Sequence, residues 1–292
     1  MIGTGLVEAR LIGLMCGPRE PRVPYDPVVE PSDLGRLPAF RLVDARAAEV
    51  FAADVVTRAV RAPIETWEAA ARAGDTGFDN VAFWARAIGE LGVEGATPAI
   101  VYDDGRMTDA ARVWFILQYF GATAFILNGG RPALAERDDW LGSVQTPAAP
   151  STFPARPGSG AVGLVDRATL KAELDGDVRI FDARTAGEYR GEDLRANPRG
   201  GHLPGARWLS HASLLQGARL RAAAELRDLL SQAGFRPGDR IVTHCDGGGR
   251  AALAAAAAAR AGHADVRAYY LSFADWARDE SCSIVQDLPS RP

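Results

Sequence analysis

The sequence predicts an α/β protein of two domains, each a mostly parallel sheet flanked by helices. Two observations carry that prediction. Short apolar runs alternate with segments of helical periodicity, the pattern that βα units leave in a sequence. The same order of signals also occurs twice, on either side of a stretch rich in proline, alanine and serine. A length of 292 residues suits about two domains, each large enough to bury a core.

Residues 1–27 read as an N-terminal extension. Leu11 to Cys16 is apolar, but the run is shorter than a secretory hydrophobic region and Glu8 lies in its flank. Met15 is also large for a lipoprotein cleavage site before Cys16, so a cytoplasmic location is expected. The first domain is placed at 28–141. Phe40-Arg41-Leu42-Val43 forms an apolar run ending in Asp44-Ala45-Arg46. Ala99-Ile100-Val101-Tyr102-Asp103 reads as a buried strand leading to the polar turn Asp104-Gly105-Arg106. Ala111, Val113, Trp114, Leu117 and Phe120 then follow at helical spacing. Ala124-Phe125-Ile126-Leu127 is a third strand, and Asp139-Trp140 closes the half.

Residues 142–160, with Pro147, Pro150, Pro154 and Pro157 and no periodicity, read as a linker. Gly158 to Gly163 satisfies G-x-G-x-x-G, but it follows this stretch rather than a strand and so lacks the context of a nucleotide site. The second domain, 161–287, repeats the first. Arg179-Ile180-Phe181 ends in Asp182-Ala183-Arg184, and a second strand runs from Arg240 to His244. An alanine-rich helix spans Ala251 to Arg260; alanine is the strongest helix former and lets a helix lie close to a sheet. Val266 to Tyr270 is the third strand and Asp275-Trp276 the closing pair. Asp44 and Asp103 are 59 positions apart, Asp182 and Cys245 63, a near-equality that chance rarely gives.

The net charge of −4 lacks the basic excess that phosphate neutralisation requires, so no nucleic-acid partner is expected. Lys171 is the only lysine, leaving arginine as nearly all the positive charge. Nothing approaches the roughly 20 apolar residues of a membrane span. Cys16, Cys245 and Cys282 are odd in number and widely spaced, which implies no disulfide framework and a reducing compartment. The four histidines show no ligand spacing with them, so neither a metal site nor a cofactor is expected.

The most informative segment is Cys245-Asp246-Gly247-Gly248-Gly249-Arg250, between the strand ending at His244 and the alanine helix. A thiol at a helix start meets outward N–H groups and the positive end of the helix dipole, which favour the nucleophilic thiolate. Three glycines allow the loop to bend and to wrap its amides around one anionic atom. Four residues separate Cys245 from Arg250, one fewer than in protein tyrosine phosphatases, and the tighter ring suits a single sulfur better than a phosphate. Asp246 sits beside the nucleophile and opposes its charge, unless it faces solvent or pairs with Arg250. Alternation along a strand puts His244 beneath the site, and His202 reads as a structural histidine in its turn.

The second half resembles the catalytic domain of tandem rhodaneses. The matching segments are Asp182-Ala183-Arg184, Glu188-Tyr189-Arg190-Gly191, Gly201-His202-Leu203-Pro204-Gly205-Ala206, the cysteine loop and Phe273-Ala274-Asp275-Trp276. The first half resembles the non-catalytic rhodanese domain through Asp44-Ala45-Arg46, Val101-Tyr102-Asp103, Tyr119-Phe120-Gly121 and Asn128-Gly129-Gly130. The resemblance implies two rhodanese-like domains and sulfurtransferase activity through a persulfide on Cys245. It implies a small anionic sulfur donor, thiosulfate or 3-mercaptopyruvate, and a thiol, cyanide or protein-thiol acceptor. Arg184 and Arg190 match family positions that receive the donor's charged end, with Asp246 to Arg250 as the anion-binding loop. For Arg184 an ion pair with Asp182 or Glu188 is the alternative. The loop lacks the basic residues usual after the cysteine in thiosulfate enzymes and the hydroxyl usual in mercaptopyruvate enzymes. A sulfur-relay or partner-docking protein of the same fold is therefore the competing class.

Overall fold

The computed structural model describes residues 25–73, 77–94, 97–136, 138–146 and 149–286. Two five-stranded sheets, parallel throughout, are each flanked by helices. The first contains β1 (Val28–Val29), β2 (Arg41–Asp44), β3 (Val60–Arg61), β4 (Ala99–Tyr102) and β5 (Ala124–Leu127), in the order β1–β5–β4–β2–β3. The second contains β6 (Gly163–Leu164), β7 (Val178–Asp182), β8 (Arg207–Trp208), β11 (Arg240–His244) and β12 (Asp265–Ala268), in the order β6–β12–β11–β7–β8. A small hairpin, β9 (Leu215–Gln216) with β10 (Arg219–Leu220), stands apart. Matched by position, the two sheets have one topology, and β4 and β11 occupy the same central place.

The central strands β2, β4 and β5 are buried along their whole length. That is what a parallel sheet covered on both faces requires, and it explains their continuous apolar runs. The edge strands are only two residues long, too short to show any periodicity. The helix over Thr108–Tyr119 begins three residues before the first apolar marker, and the one over Gly249–Arg260 takes in the last loop glycine.

These two helices pack against each other and join the halves in one apolar cluster. Every side chain from Ala251 to Ala259 is buried, because this helix has its own sheet on one side and the partner helix on another. Methyl-sized side chains let the axes approach. Tyr270 completes the seam, stacking on Phe115 at 5.5 Å and meeting the edge of Phe78 at 5.0 Å.

The proline-rich connection is laid on the first half rather than tethered loosely. Phe153 is buried and donates its N–H to Ala85, and Arg156 donates to Phe120. A Cβ on Gly89 would lie 1.8 Å from the Ser151 oxygen, so the helix Val81–Gly89 must end in glycine where the connection crosses it. Cys16 and its apolar run lie outside the described residues. Among the described residues no helix is long and apolar enough to cross a membrane.

Gly249 faces Thr108 and Arg112 of the partner helix, and Ala256 lies two turns further along the same face. Ala256→Leu should therefore overpack the seam and cost ~1–3 kcal/mol in urea unfolding. A cost below about 0.5 kcal/mol would mean that the helices are not in close contact.

Candidate active site

Cys245 follows the carboxyl end of β11, where ligand sites form in open parallel sheets. Its residue is only 1% exposed. The sulfur accepts the N–H of Gly248 at 3.1 Å, and the Ser272 hydroxyl lies 3.7 Å away. Ser272 also accepts the Cys245 N–H at 3.1 Å and donates to the Tyr269 carbonyl at 2.8 Å. The expected ring of loop amides is thus narrower at the sulfur itself: among the described residues one N–H donates to it, with the Ser272 hydroxyl nearby. The N–H groups of Asp246, Gly247, Gly249 and Arg250 donate to no other group among those described. They are orphan donors at a helix start.

The three glycines have separate causes. Gly248 adopts φ 101°, which side chains rarely tolerate. Gly247 and Gly249 instead make room for the first half: added Cβ atoms would lie 2.4 Å from Arg72 Nη2 and 3.1 Å from Arg112 Nη2.

A cavity of about 550 Å³ opens over the cysteine and is lined by both halves. The second half supplies Cys245, Asp246, Gly247, Gly249, Arg250 and His211. The first supplies Glu68, Arg72, Arg106, Asp109 and Arg112. Arg250 is clamped by Glu188 through bonds of 2.6 and 2.8 Å, a fork-on-carboxylate pair. Burial alone would lower the Arg250 pKa, but Glu188, the Cys245 sulfur and Asp246 hold it above the usual value. Glu188 is 1% exposed, caps the helix Ala186–Arg190 and accepts from Thr185. Against the penalty of its burial, these partners hold its carboxyl well below the usual range. Asp246 does not pair with Arg250; it accepts the Asn197 amide at 2.7 Å.

The structure does not bring Arg184 and Arg190 to the cavity. Arg184 is 2% exposed, forks onto Asp182 at 2.6–3.1 Å and donates to Gly201 at 2.7 Å, with Phe273 beneath it at 4.0 Å. Its Nε and Nη2 are engaged in the interior and it does not line the cavity. Arg46 makes the same fork onto Asp44 in the first half, so Asp-Ala-Arg is a structural device used twice. Arg190 pairs with Glu192 at the surface, its side chain 46% exposed and away from the cavity.

His244 is fully buried beneath the loop, 3.4 Å from Asp182, and burial pushes it down to about 4, which leaves it neutral. His202 stacks on Tyr189 and bonds to its carbonyl at 3.0 Å. His211 lines the cavity with Nδ1 3.2 Å from the Ala183 carbonyl; burial and then Arg250 lower its pKa. Cys282 is buried in a separate small core, where burial raises its thiol, and it does not line the cavity.

In the first half Asp103 occupies the place of Cys245, after β4. Its carboxyl accepts N–H groups from Gly105, Met107, Asp109 and Ala110 at 2.9–3.1 Å. The duplicated loop thus also gathers main-chain donors around one atom group, here a side chain of its own.

The rhodanese-like domain family matches residues 166–279. A 3-mercaptopyruvate sulfurtransferase of Escherichia coli (strain K12) is 30% identical over 214 residues, covering 72% of this chain and 73% of the relative. A thiosulfate sulfurtransferase of Azotobacter vinelandii is 33% identical over 196 residues, covering 64% of this chain and 69% of the relative. The solved structure of 3-mercaptopyruvate sulfurtransferase from Leishmania major superposes with a TM-score of 0.69 at 23% identity, over 87% of this chain and 75% of that one. That likeness is one of fold. With a family match around the cysteine loop and a relative of this identity spanning most of both chains, the protein belongs to the rhodanese family of sulfurtransferases.

Proposed function

We propose that Cys245 takes the sulfane sulfur of thiosulfate or 3-mercaptopyruvate as a persulfide and passes it to a thiol or cyanide. The carrying observation is a cysteine sulfur at a helix start, held by the Gly248 N–H, beneath a cavity of about 550 Å³. In the first step the thiolate attacks the outer sulfur of the donor. The donor's bond to that sulfur breaks, and its electron pair leaves with sulfite or with the enolate of pyruvate. In the second step the acceptor attacks the outer sulfur and Cys245 departs as a thiolate. The orphan N–H groups of Asp246, Gly247, Gly249 and Arg250 are the proposed donors to the charged outer sulfur.

Recognition of the donor's anionic end passes from Arg184 and Arg190 to Arg72, Arg106 and Arg250, which line the cavity. The site favours turnover of small donors over docking of a large partner, since the cysteine is 1% exposed at the floor of a cavity of small-molecule volume. In this reading residues 161–287 are the catalytic domain and 28–141 the partner domain, with 142–160 between them.

Steady-state turnover with each donor, using cyanide as acceptor, should show double-displacement kinetics. Cys245→Ser should lower it by at least about 10³-fold. Turnover retained in that variant would remove the cysteine from the mechanism.

Glu188→Gln leaves Arg250 without its countercharge and should destabilise the fold by about 3 kcal/mol at neutral pH. A carboxyl depressed in the folded state stabilises above its unfolded pKa and loses that contribution as pH falls through the folded one. The gap between wild type and Glu188→Gln, read by urea unfolding, should be full near pH 7 and shrink below about pH 4. A gap independent of pH would show that the ion pair contributes nothing.

A further inference from the structure

Gly247 and Gly248 share one peptide group whose two ends have different partners. Its carbonyl oxygen accepts from Arg112 Nη1 at 2.9 Å and Arg72 Nη2 at 3.2 Å, both from the first half. Its N–H donates to the Cys245 sulfur at 3.1 Å. In a planar trans peptide the two bonds point in opposite directions, so a grip on the oxygen aims the hydrogen. Glycine on both sides of the peptide leaves its orientation poorly fixed by the loop alone. Two guanidinium groups on the oxygen also polarise the amide and strengthen its N–H towards an anion.

Arg112 is itself held in place. It is buried, donates to the Tyr270 hydroxyl at 3.1 Å and lies 3.7 Å from Glu68. Its Nε has no hydrogen-bond partner among the described residues, an unfavourable arrangement for a buried donor. Burial alone would lower its pKa, yet Tyr270, Glu68 and the Cys245 sulfur hold it above the usual value.

The geometry points to Arg112, seconded by Arg72, as a positioning residue: through the Gly247–Gly248 peptide it aims and strengthens the donor that holds negative charge on Cys245. The partner domain then acts on the nucleophile itself and not only on the cavity wall. This rests on Cys245 being the nucleophile.

Iodoacetamide is uncharged, so its reaction with Cys245, followed on the isolated peptide by mass spectrometry, reports thiolate without requiring anion binding. The other charged or titratable groups around the sulfur are Glu68, Arg72, Arg106 and Asp109 from the first half, and Asp246, Arg250 and His211 from the second. His244 lies beneath the loop. Arg112→Met should move the pH midpoint of alkylation up by about one unit. Arg112→Lys, which keeps the charge without the fork, should move it less. Glu68→Gln, which frees Arg112 of its countercharge, should move it down. Donor kcat in Arg112→Met should fall at least about tenfold, while KM changes less than about threefold. If Arg112→Met does not fold, Arg72→Met, on a side chain 33% exposed, carries the test with a smaller upward shift. An unchanged midpoint in the folded variant, whatever its loss of thermal stability, would make the contact purely structural and overturn the inference. Such a result would leave the nucleophile standing, because that reading is tested by Cys245→Ser.

Discussion

The close packing of two helices, Thr108–Tyr119 and Gly249–Arg260, is the constraint on which the site depends. An alanine face makes that approach possible, and the consequences run outward from it. The start of the alanine helix is brought against Arg112, so a Cβ on Gly249 would crowd its Nη2 at 3.1 Å, while one on Gly247 would meet Arg72 Nη2 at 2.4 Å. The same approach closes the cavity over Cys245 from the opposite side, with Glu68, Arg72 and Asp109 as its far wall. A sulfur reached through such a space is screened from bulk water, where its interactions with N–H groups and guanidinium groups would be weaker.

The duplication shows how one scaffold serves two purposes. Both halves end their central strand at a loop that collects main-chain donors ahead of a helix. In the first half Asp103 fills that arrangement with its own carboxyl and fixes the loop. In the second the position holds a cysteine, and several donors of its loop remain unengaged among the described residues. One loop is thus closed and structural, the other open and chemical. Beneath both runs the same fork, Arg46 on Asp44 and Arg184 on Asp182.

The central strands and the cysteine loop were legible in the sequence because long apolar runs and a thiol before three glycines have few other meanings. The two-residue edge strands were not, since pairing with a neighbour rather than periodicity creates them. Arg184 illustrates a different limit. Anion binding and ion pairing call for the same side chain, and the matching family position did not distinguish them. The repeat itself held the answer: Asp-Ala-Arg also occurs in the half without a cysteine. Glu188 could have been found from Thr185-x-x-Glu188, a capping-box pattern, although nothing local reveals that the same carboxylate also clamps Arg250. Arg112 reaches the loop at Gly247 from 135 positions away and Ser272 reaches the cysteine from 27, and only the folded chain brings them there.

The central claim is that residue 245 carries the transferred sulfur. Incubating the full chain with thiosulfate, and separately with 3-mercaptopyruvate, followed by peptide mass spectrometry, tests it most directly. The account predicts a gain of one sulfur atom, about 32 Da, on the Cys245 peptide with at least one donor, lost again on adding cyanide. A Cys245 peptide of unchanged mass under both donors, while turnover proceeds, would contradict it.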